Sequence, residues 1–68
     1  MQFIAKVEDG QKPNIREIAG RLEGMGITVK RVMAITGTIT GDSGAMTLRQ
    51  VKIKGIASVE KDRSLKGK

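Results

Sequence analysis

The chain has no cysteine and no histidine among its 68 residues. The first absence excludes disulfide staples and thiolate metal sites. The second removes the commonest zinc ligand, the commonest proton shuttle and the usual base for activating a nucleophile. Trp and Tyr are missing too, and Phe3 is the sole aromatic. A sheet that reads single-stranded RNA stacks bases on exposed rings, and one Phe is no platform for that. No run approaches the roughly 20 apolar residues of a membrane span. The opening MQFIAKVEDG lacks the basic start and apolar stretch of a secretory signal. The chain reads as cytoplasmic, or as secreted if it is excised from a longer precursor.

What is present suffices for one small domain. A chain of this size buries only about 60% of its unfolded surface, so its margin of stability is thin. The net charge is +6 and unevenly placed. In residues 1–29, Lys6, Lys12, Arg16 and Arg21 cancel Glu8, Asp9, Glu17 and Glu23. All the excess lies beyond, and half of it in the last eight residues, where Lys61, Arg63, Lys66 and Lys68 face only Asp62. A basic tail favours nucleic acid or an acidic protein surface, or serves solubility.

Periodicity divides the chain. Phe3, Ala5 and Val7 alternate with Gln2, Ile4 and Lys6, a strand pattern. Gly10 and Pro13 break it and prepare a helix. From Asn14 the spacing changes: Ile15, Ile18, Ala19, Leu22 and Met25 form one stripe, and Gly24 and Gly26 supply the stop. Residues 27–35 are rich in β-branched types, with Ile27, Val29, Arg31, Met33 and Ile35 at alternate positions. A short Thr/Ile strand over 36–41 comes next, with a reversal near Thr36 and Gly37. Asp42 or Ser43 is placed to cap a second helix over 44–54, stopped by Gly55, although Val51-Lys-Ile-Lys54 alone alternates like a strand. Residues 56–60 make the last strand.

The order β-α-β-β-α-β predicts an α+β, ferredoxin-like sandwich: a four-stranded antiparallel sheet with two helices on one face. The domain is expected over 1–60, with 61–68 as a flexible basic tail. One sheet face is left without helices and is a candidate docking surface.

Enzymatic chemistry has little to stand on. Nothing marks any of the eight lysines as a buried nucleophile. The pairs Glu8/Asp9 and Glu60/Asp62 have no evident reason to converge for acid/base work. The glycines at 37, 41 and 44 lack the spacing of phosphate loops. The expectation is a non-enzymatic protein with no cofactor and no metal.

The stretch GIASVEKDR carries a specific pattern. With Gly55, Ile56, Val59, Glu60 and Asp62, it resembles the end of the propeptide domains of subtilisin-like serine proteases, the inhibitor I9 family, which read approximately G-V-x-x-V-E-x-D. Ile35-Thr-Gly37 is a looser match between the middle strands. Short stand-alone bacterial proteins of this type exist. The resemblance implies a sheet face docked on two protease helices, with Glu60 and Asp62 at the helix N-termini. It also implies a tail, Arg63, Ser64, Leu65, Lys66, Gly67 and Lys68, laid in the substrate cleft as an added strand. Lys68 would fill the first subsite and Leu65 the fourth; Lys68 departs from the large apolar residue that broad-specificity subtilisins prefer there. The function implied is inhibition or chaperoning of a subtilisin-like protease. The alternatives are a basic module that binds nucleic acid or an acidic partner, and a monomer that dimerises weakly through its open sheet.

Overall fold

The computed structural model describes residues 1–62. Strand β1 (Gln2–Val7) buries Phe3, Ala5 and Val7 and turns Gln2, Ile4 and Lys6 to the other side, as its alternation requires. A 3-10 helix over Asp9–Asn14 comes next and contains Pro13, whose fixed φ suits so tight a turn. It leads directly into α1 (Ile15–Gly24), whose Ile15, Ile18, Ala19 and Leu22 are all buried. Beyond α1, Gly26 takes φ +93°. Its N–H donates to Glu23 and the N–H of Ile27 donates to Leu22, closing a Schellman motif. Ile27 and Leu22 are both buried in the core, the apolar contact that accompanies this cap. Ile27 therefore belongs to the helix ending, and β2 runs over Thr28–Met33 only.

Strand β2 departs from plain alternation. Its register on β3 (Thr38–Asp42) shifts between Val29 and Arg31, so Lys30 is an extra, bulged residue. The turn occupies residues 34–37 and is closed by a hydrogen bond from Gly37 N–H to the Met33 carbonyl, with Gly37 at φ +71°.

The second helix is much shorter than its apolar pattern suggests: α2 covers Leu48–Val51 rather than 44–54. Gly44 sits at φ +64° and donates its N–H to Asp42 Oδ1 at 2.8 Å, which commits this segment to a turn. Neither Asp42 nor Ser43 caps the helix. That role falls to Thr47, whose hydroxyl accepts from Gln50 N–H while the Gln50 side chain accepts from Thr47 N–H. The helix ends at Lys52, and the alternating Val51-Lys-Ile-Lys54 lies mostly outside it.

The last strand, β4 (Ile56–Lys61), extends one residue past its expected end, and Asp62 N–H continues the ladder to the Gln2 carbonyl at 3.0 Å. The proposed tail thus begins inside the strand; residues 63–68 lie outside the described part of the chain. The sheet order is β2-β3-β1-β4, antiparallel throughout. Side chains from α1 and Val51 of α2 join Phe3, Ala5, Val7, Ile39 and Ile56 in one core. This is the ferredoxin-like βαββαβ sandwich.

Gly41 faces Phe3 across β1 and β3. A Cβ there would run into the Thr28 carbonyl and come within 3.2 Å of Phe3 Cζ. Gly41→Ala is expected to cost about 1–3 kcal/mol, the usual penalty of overpacking, read as a lower urea midpoint. Thr47→Ala should cost about 1 kcal/mol by removing the cap, with the sheet spectrum retained.

Candidate binding face

The strand register arranges the helix-free side of the sheet as three rows. The first is Thr28, Asp42, Gln2, with Asp62 bonded to Gln2 at the far edge. The second is Arg31, Thr40, Ile4, Glu60, and the third is Met33, Thr38, Lys6, Ser58. Residues directly opposite in a ladder point to the same side, so these side chains share one surface. Arg31, Lys6 and Glu60 are exposed, while Ile4, Thr40 and Met33 are half-buried.

Glu60 and Asp62 are brought together as their two-residue spacing requires. Both lie on this face, at its β4 edge, in adjacent rows. The remaining members of the GIASVE pattern have local structural duties. Gly55 adopts φ +97°, its carbonyl accepts from Glu8 N–H at 2.9 Å, and a Cβ on it would press on Ile18 Cδ1. Ile56 is buried, and Val59 lies opposite Ala5 and packs on the core. Glu60 has no such duty: among the described residues it has no ion-pair partner.

Arg31, like Met33, is a residue that sequence periodicity misplaces. Counting by twos from Ile27 puts it on one side with Val29, but the bulge at Lys30 separates them. It then shares a row with Glu60, at the opposite edge of the sheet. A basic doublet inside an apolar strand is the signal that marks such a bulged edge.

The first row contains a second electrostatic feature. The Met1 ammonium donates to Asp42 Oδ1 at 2.8 Å, and Gln2 Nε2 donates to Oδ2 at 3.2 Å. Ser43 N–H closes on the Met1 carbonyl at 2.8 Å. The ammonium's hydrogen bond, and after it that of Gly44 N–H, holds the Asp42 carboxyl below its ordinary value; desolvation opposes this, and the charges of the ammonium and Lys30 add smaller contributions in the lowering direction.

Away from this face, a groove of about 250 Å³ runs between α1 and the loop before β4. Glu17, Arg21, Asn14 and Lys54 line it, and Glu17 is already paired with Arg21 at 3.2 Å. Among the described residues no group of three or more acidic side chains is placed to hold a metal ion, and no helix is long and apolar enough to cross a membrane. Comparison with protein-family models, curated proteins and solved structures finds no match for the chain.

Because the Asp42 carboxyl is more acidic folded than unfolded, its contribution is present above the unfolded value and is lost as pH falls through the folded one. Asp42→Asn should therefore be less stable than the parent at neutral pH. The difference should shrink as pH drops below the usual carboxylate range, seen as converging urea midpoints.

Proposed function

We propose that the chain is a non-enzymatic binding protein of the subtilase-propeptide type, which inhibits or chaperones a subtilisin-like serine protease. The observation that carries this reading is the position of Glu60: an exposed carboxylate on the helix-free face, in the edge strand that leads directly to the tail. A carboxylate at a helix N-terminus meets unsatisfied N–H groups and the positive end of the helix dipole, worth about 0.3–1 kcal/mol when exposed and up to ~2 when partly buried. Glu60, with Asp62 beside it, would cap the protease helices. The tail then adds to the substrate cleft as a strand, gaining affinity from backbone hydrogen bonds and specificity from alternate side chains. The domain's part is to fix the point at which the tail departs. The nucleic-acid alternative is the weaker on charge: the same face presents Arg31 and Lys6 together with Glu60, so a polyanion lying across it meets repulsion at the β4 edge.

Titration into a subtilisin-like protease, monitored with a chromogenic peptide, tests the reading. Inhibition in the micromolar range is expected. Deleting residues 63–68 should abolish it with the far-UV spectrum unchanged, and Glu60→Gln should weaken it between about 2-fold and 30-fold, the equivalent of the capping energies above. No inhibition by the intact chain, or equal inhibition by the truncated one, would end the proposal.

A further inference from the structure

The rows of the helix-free face are charge-complementary to themselves when reversed. In the middle row, Arg31 stands at one edge and Glu60 at the other, with Thr40 and Ile4 between. Within one copy the two charges are three strand spacings apart, about 14 Å, too far to pair. We propose that two copies of the chain associate face to face through this surface, about a twofold axis parallel to the strands and midway between the sheets.

That axis lays β2 of one copy over β4 of the other without changing the row. Arg31 then meets Glu60 of the second copy, and Glu60 meets its Arg31. Ile4 and Thr40 exchange places in the centre, where half-buried apolar surface comes together. In the first row Asp42 lies over Gln2 and Thr28 over Asp62. In the third, Thr38 lies over Lys6 and Met33 over Ser58. No like charges are opposed in any row. The other in-plane axis, perpendicular to the strands, sets Arg31 on Arg31 and Glu60 on Glu60, so charge selects between the two arrangements. Packed sheets lie about 10 Å apart with strands turned by about 30°. At the edges of so narrow a sheet that rotation moves residues by only ~4 Å, which long side chains such as Arg and Glu span.

The same features argue for a second copy over a partner of one sign, because a uniformly acidic or basic surface is repelled at one edge. The patch covers roughly 400 Å² per copy from its strand and row spacings. The total of about 800 Å² is below that of stable complexes, so the dimer is weak and concentration-dependent. It forms without a protease, and it occupies the face that protease docking would need.

Sedimentation velocity on the full chain, from about 10 µM to about 1 mM, reads the association directly. The parent should shift from monomer to dimer, and the shift should weaken with added salt. Arg31→Glu opposes two carboxylates at each end of the interface and Glu60→Arg opposes two guanidiniums, so each variant alone should stay monomeric. An equimolar mixture of the two should dimerise, since each then supplies what the other lacks. Both sites are exposed, and circular dichroism confirms that the variants fold. A parent that stays monomeric, a salt-independent dimer, single variants that associate like the parent, or a mixture that does not associate each overturns the proposal.

Discussion

Phe3 seated against Gly41 is the contact around which the sandwich is built. The ring is fully buried and belongs to the first strand, while the glycine lies inside a strand far along the chain. With no other aromatic, Phe3 is the bulkiest of the side chains that fill the space between sheet and helices, beside Leu22, Ile39 and Ile56. A glycine in a strand interior ordinarily weakens it. Here the missing Cβ lets the ring and the β2 backbone approach, and β2, β3 and β1 are drawn together at one point. In a domain with so thin a margin, a contact that ties three of the four strands together weighs more than it would in a larger one.

The parts of the fold legible from periodicity are those whose side chains alternate or repeat against one unbroken surface. β1 and α1 meet that condition, and so does β4 from Ser58 onward, with the spacing that unites Glu60 with Asp62. The parts that resisted are set by backbone geometry. Nothing in the apolar pattern of residues 44–54 reveals that Gly44 adopts a positive φ or that the Asp42 carboxylate captures its N–H, yet these two facts shorten α2 to four residues. Similarly, Ile27 reads as the first strand residue because it is β-branched, whereas it serves the Schellman ending of α1. The bulge at Lys30 is a third case, and it decides which side Arg31 occupies. Arg31 thus joins the candidate face only through the strand register.

The GIASVE pattern separates into residues the fold explains and one it does not. Gly55 is needed for its backbone angle and for the room it leaves Ile18, Ile56 for burial, and Val59 for packing above Ala5. A sandwich of this type that ended in the same way would favour similar residues whatever it bound. Glu60 has no ion-pair partner among the described residues, so it is the member of the pattern on which the proposed docking rests.

The two edges of the sheet are not equivalent. β2 carries a bulge flanked by Lys30 and Arg31, features that discourage another strand from aligning beside it. β4 is regular from Ser58 to Lys61, its own irregularity being confined to the end near Ile56. Backbone-mediated growth of this sheet is therefore polarised. Among the described residues, the regular edge that a foreign strand could join is β4 from Ser58 to Lys61.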